Sequence, residues 1–169
     1  MKKIYLSVVC LLISIPLIAQ LYVEPEKEVE CSVFLAKEGR GRAQQGLEIW
    51  DDYIFSCEDG GHVNIYDFKS ADPKPVAGFE LASSHPDNHV NNVCFGVETK
   101  RGASFPLLYI TNGKVGSELE WLCFVESITR RGKRFSSEIA QTIELDGSKW
   151  AEKGYVPIFG APSWLVDRE

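Results

Sequence analysis

Cysteine pairs at metal-ligand spacing are missing from this chain, and so are the short motifs that mark most catalytic centres. There is no C-x-x-C pair and no cysteine-rich segment, which argues against a zinc site built from thiolates. The sequence also lacks G-x-S-x-G, H-E-x-x-H, a phosphate-binding loop and an EF-hand calcium loop, so nothing in it assembles a nucleophile with a base. No catalytic residue is therefore expected. Basic residues are in short supply, with Lys+Arg 18 against Asp+Glu 24 and a formal net charge of −6. That sign argues against nucleic acid or anionic lipid as the main partner, because a phosphate backbone rewards the opposite charge.

One long apolar run is present, and it stands at the N-terminus. Lys2 and Lys3 form a basic start, "IYLSVVCLLISIPLI" follows without a charge, and "AQ" closes it. Order and composition are those of a secretory signal peptide over residues 1–19, with Leu17 at the minus-three position and Gln20 as the first mature residue. Cys10 lies too early in the run to become a lipid-modified first residue. The expectation is a soluble exported protein, periplasmic or extracellular, with no membrane span once the signal is removed. "EPEKEVE" then reads as part of a flexible lead-in over 20–43, too charged for a core. Four cysteines remain beyond the signal: Cys31, Cys57, Cys94 and Cys123. An even count permits disulfides in an exported chain, but the last three sit in apolar, strand-like runs, where buried thiols acting as small hydrophobes are expected.

The middle of the chain is written in short apolar and aromatic runs broken by turn residues. Leu47 to Trp50, Tyr53 to Cys57 and Val63 to Phe68 read as successive antiparallel strands separated by Asp51-Asp52 and by Glu58-Asp59-Gly60-Gly61, and "VAGFEL" supplies a fourth. The order returns as "VNNVCFG", "PLLYITNG", "LEWLCFVESI" and "EIAQTIEL". A partial third copy opens with "YVPIFGAPSWLVDRE", and Tyr53, Tyr109 and Trp164 fall at matching points of the three. Repeated four-stranded units are the sequence sign of a β-propeller, whose blades run to ~40–50 residues. The expected architecture is all-β: blade one over about 44–82, blade two over about 89–146, and the start of a third over 154–169. A propeller closes with roughly four to eight blades. The expectation is therefore an N-terminal fragment of a longer protein, whose exposed sheet edges would invite self-association. The alternative is a self-contained small β-domain.

The stretch "QQGLEIWDDYIFSCEDGGHVNIYDF", followed by "HVNNVCFG" and "PLLYITNG", resembles the exported β-propellers of the seven-bladed quinoprotein-like and YVTN-repeat kind found in Bacteroides-type bacteria. The resemblance runs from about Gln44 to the end and implies a fold, not a catalytic role. The tryptophan-docking repeats of true quinone-dependent dehydrogenases are not evident, since Trp50, Trp121, Trp150 and Trp164 lie at differing strand positions. No quinone or other cofactor is implied, and the single "WDD" does not make a WD-repeat protein.

Candidate site residues cluster in "SSHPDNHVNN". His85, Asp87 and His89 stand close together, but Pro86 and the Asp-Asn pair make this a turn in which polar side chains bond their own backbone, so no metal site is expected. In a propeller the first strand of each blade lines the central channel. That puts His89, Asn91 and Asn92 at its mouth as candidate binding residues for an extracytoplasmic protein or glycan. Glu58, Asp59 and His62 read as turn residues, and "TRRGKR" over Thr129 to Arg134 as a solvated hairpin tip. With only Glu48 and Asn91 or Asn92 as polar first-strand positions, no catalytic set forms. The function expected is an exported, non-enzymatic binding or scaffolding module; the alternative is a propeller enzyme acting on extracellular glycans.

Overall fold

A computed structural model describes residues 42–72, 74–112, 116–146, 152–154 and 164–166. The expected signal peptide, the expected lead-in as far as residue 41, Cys31 and most of the expected third copy lie outside the described residues.

Every regular element among the described residues is a strand. The first four are β1 (Gln44–Trp50), β2 (Tyr53–Glu58), β3 (His62–Asp67) and β4 (Ala77–Glu80), and the next four are β5 (Asn92–Phe95), β6 (Leu108–Thr111), β7 (Leu122–Arg131) and β8 (Arg134–Glu144). They form two four-stranded antiparallel sheets, ordered β1-β2-β3-β4 and β5-β6-β7-β8 with no crossover. Among the described residues no helix is long and apolar enough to cross a membrane.

Local chemistry explains the hairpins. Asp51 takes a left-handed φ of 49° between β1 and β2, a conformation Asp tolerates better than most residues. Gly60 and Gly61, at φ 84° and 91°, turn the chain into β3, where a side chain would be strained. The basic segment is mostly strand: Arg131 pairs with Arg134, and the tip shrinks to Gly132 and Lys133, with glycine at the first central position as a two-residue turn of this kind prefers.

The core lies between the sheets. Phe55, Val63, Ile65, Phe79 and Leu81 come from the first side, and Val93, Phe95, Leu108, Ile110, Ile128 and Phe135 from the second. Phe55 is its centre, with ring centroids 4.9 Å from Phe95 and 5.1 Å from Phe105, both edge-on, the geometry aromatic quadrupoles favour. The sheets stack in the same order, first strand against first and fourth against fourth, with β1 packed on β5 and β4 on β8. Gly46 permits that approach, since a Cβ there would lie 3.0 Å from Val93 Cγ2 and 3.1 Å from the Val90 carbonyl.

The pairing registers also repeat. In the first sheet Trp50 is opposite Tyr53 and Glu48 opposite Phe55; in the second Cys94 is opposite Tyr109 and Asn92 opposite Thr111. Glu48 uses its side chain to reach the next sheet, accepting the Phe95 N–H at 3.2 Å. Its register counterpart Asn92 accepts the Trp164 N–H at 2.9 Å, and Tyr109 meets the Trp164 ring edge-on at 5.6 Å. Each sheet thus makes the same kind of contact with the chain segment C-terminal to it.

Candidate functional site

The turn from β2 to β3 and the segment from β4 to β5 meet at one end of the sheets. Backbone bonds weld them: the Gly60 N–H donates to the Asn88 carbonyl at 2.7 Å, and the Gly60 carbonyl accepts from His85 N–H at 3.2 Å and from Ser84 Oγ at 2.7 Å. Asn88, fully buried, holds the segment from inside, donating to the Ser83 carbonyl at 2.9 Å and accepting from the Val90 N–H at 3.2 Å. Val90 is forced to a φ of 42°. For a β-branched residue that is a true outlier costing on the order of 1–3 kcal/mol, and it fixes the direction of the residue before it.

That residue is His89. Its Nδ1 lies 2.5 Å from Asp59 Oδ1, with both side chains about one-third exposed, and its N–H donates to Asn112 Oδ1 at 3.0 Å. Arg42, just ahead of β1, donates from Nη1 to the Asp59 carbonyl at 3.2 Å. Arg42, Asp59, Gly60, Pro86 and His89 line an open cavity of about 410 Å³. Among the described residues that line it, none carries a hydroxyl or thiol.

The other candidates go elsewhere. Asn91 donates its N–H to the Thr111 carbonyl at 3.1 Å, and Asn92 is engaged with Trp164, so neither lines the cavity. His85 accepts the Asp87 N–H on its own Nδ1 at 3.1 Å, and among the described residues no three metal-ligating side chains gather at one point. Two turn assignments are corrected. His62 opens β3 and its Nδ1 sits 2.9 Å from Glu80 Oε1, its side chain only 12% exposed, because the β3–β4 register places the two opposite each other. Glu58 is the last residue of β2 and fully buried, its Oε1 accepting from Asn64 Nδ2 at 2.8 Å while Oε2 has no partner.

Sequence reading missed Glu126. This fully buried carboxylate on β7 accepts the Ala82 N–H on one oxygen and the Ser83 N–H on the other, both at 2.9 Å, clamping the connection that leaves β4. Its charge, added to complete burial, pushes the Cys57 thiol far above its ordinary range, burial being the larger cause. Burial likewise raises Cys123. Cys57, Cys94 and Cys123 are all free thiols.

No known protein family matches the sequence, and no curated protein matches it.

Proposed function

We propose that this protein is an exported, non-enzymatic binding or scaffolding module built as consecutive propeller blades. The observation that carries the reading is the repeated forward contact: Glu48 on the first sheet takes the Phe95 N–H, and its counterpart Asn92 on the second takes the Trp164 N–H. Sheets joined front to back in this way are the building plan of a repeat architecture. The signal-like N-terminus supports export. The polar cavity at one end of the sheets supports binding, since it gathers charged and polar side chains around a concave surface.

A propeller enzyme acting on extracellular glycans is the second reading, favoured by one feature: an imidazole oriented by a carboxylate is also how a general base is held. Incubating the purified protein with a panel of neutral and acidic oligosaccharides separates the two. Retention without new reducing ends supports the binding module; release of new reducing ends supports the enzyme. N-terminal sequencing of protein recovered outside the cytoplasm should start at Gln20, and recovery with Met1 intact would remove the export reading.

A further inference from the structure

The geometry points to a site for a sulfate ester carried on a sugar, built on one face of the β7–β8 hairpin around Arg131 and Arg134. This deepens the binding-module reading and rests on it.

Strand register sets the arrangement. Ser127, Thr129 and Arg131 alternate along β7 and pair across the ladder with Glu138, Ser136 and Arg134 of β8, so all six side chains share one face. The opposite face goes to the core, which takes Ile128 and Phe135. Those six residues line an open cavity of about 770 Å³, a volume that suits a small ligand. Four residues of strand put the arginine rung ~13 Å from the Ser127 rung, with the Thr129–Ser136 hydroxyls between them. Arg130, on the other face, serves the fold: its Nε donates to the Gly132 carbonyl at 2.8 Å and its guanidinium lies 4.9 Å over the Tyr53 ring. Arg131 and Arg134 do neither. Both are exposed, and among the described residues neither guanidinium meets an acceptor, a carboxylate or a ring. Like charges directly opposite on a ladder destabilise it, and an anion seated between the two guanidinium forks relieves that repulsion. The one carboxylate of this face, Glu138, has its Oε1 2.8 Å from Lys100 Nζ, which leaves the arginines as surplus positive charge, and a guanidinium holds its charge at every working pH.

The hydroxyls next to the arginines select the body of the ligand. Ser127 is 2% exposed, lines the cavity, and has no hydrogen bond to its hydroxyl from any described residue. A buried hydroxyl calls for a partner, and a ligand in the cavity can supply it. Hydroxyls of Ser127, Thr129 and Ser136 each donate and accept, which matches the hydroxyls of a sugar ring. Guanidinium forks match the paired oxygens of an oxoanion, and a sulfate ester offers three such oxygens for a single charge. A phosphate ester fits less well. This face presents the side chains of a paired ladder, not the converging backbone N–H groups that cradle phosphate, and Glu138 repels a dianion more than a monoanion. A nucleic-acid backbone is disfavoured by the net charge of −6.

Titrating the intact protein with glucose 6-sulfate, glucose 6-phosphate, glucose and sodium sulfate tests the site, read by calorimetry and by the backbone amide signals of Thr129 to Glu138 in nuclear magnetic resonance. Glucose 6-sulfate should move those signals and bind about tenfold or more tighter than each of the other three, because it alone meets both the arginine rung and the hydroxyls with one charge. Its affinity should fall as salt is raised, since both cations are exposed and screened. Arg131→Gln and Arg134→Gln should each weaken it about tenfold or more without lowering the thermal transition, because either change removes the facing like charges. Thr129→Val should weaken glucose 6-sulfate and leave sodium sulfate unchanged. Hairpin signals that stay still under glucose 6-sulfate overturn the proposal, as does unchanged affinity in both glutamine variants. It is equally overturned if glucose, the phosphate ester or sodium sulfate binds as tightly as the sulfate ester; where glucose does so and the hairpin variants bind it unchanged, the binding module stands and only its sulfate site is lost. Oligosaccharide cleavage by the purified protein removes the binding-module reading without touching the sulfate contact.

Discussion

The two sheets share strand order, register and a forward-reaching side chain, yet they treat their buried carboxylates differently. Glu126 in the second sheet has both oxygens filled by backbone N–H groups of the segment that leaves the first sheet. Glu58 in the first has one oxygen filled by Asn64 from its own sheet and the other without a partner. A buried carboxylate is tolerated when its lone pairs are met and costly when they are not. Stability in this fold is therefore handed forward: a sheet is completed by its predecessor in the stack, and Glu126 has such a predecessor in the first sheet's outgoing connection.

The largest way to break the comparison is to remove the core that the sheets share. Phe55→Ala should cost about 3–5 kcal/mol, read by urea denaturation. A single transition shifted to lower urea is expected; two separate transitions would mean that the sheets fold independently. Glu126→Gln comes next. The amide keeps one acceptor but sets a donor against the Ala82 or Ser83 N–H, so a loss of about 2 kcal/mol is expected, and an unchanged midpoint would deny the clamp its role. Glu58→Gln should go the other way by about 1 kcal/mol, because the neutral amide still accepts from Asn64 and no longer buries a charge with an unmet oxygen. Equal losses at both positions would erase the asymmetry.

The smallest effect is on thiol reactivity. A raised thiol pKa means less thiolate at any given pH. Cys57 and Cys123, both raised chiefly by burial, should therefore resist a disulfide reagent near pH 8 until the protein is unfolded. Half-buried Cys94 should react before either of them, and labelling of Cys57 at the rate of Cys94 would contradict the tight packing between the sheets.

Much of this fold is legible in the sequence because pattern and punctuation agree. Asp51-Asp52 and the glycine pair break runs whose alternation is already strand-like, and all eight strands lie where those runs stand. The basic segment is readable only in part, since Arg130 and Arg131 extend β7, with the Arg130 guanidinium 4.9 Å over the Tyr53 ring. The misreadings share a cause. Glu58 and His62 flank true turn residues and have turn-like composition, but their environment is set by cross-strand neighbours, Asn64 and Glu80, which only the register brings near. His89 is visible as a polar residue leading into a first strand. Its partner Asp59 reads as turn chemistry, and Arg42 as lead-in, because the cavity exists only once two distant loops are joined through Gly60 and Asn88.

The front-to-back stacking has an evolutionary consequence. Two surfaces related by a two-fold axis complete each other and stop, whereas a front that meets a back leaves another front available. A duplicated gene segment encoding such a sheet arrives with a contact that already fits its neighbour, Glu48 or Asn92 offering an acceptor to the next backbone N–H. Growth by copying then requires no new interface to be invented, and drift can erase the sequence likeness between copies while the register that joins them is kept.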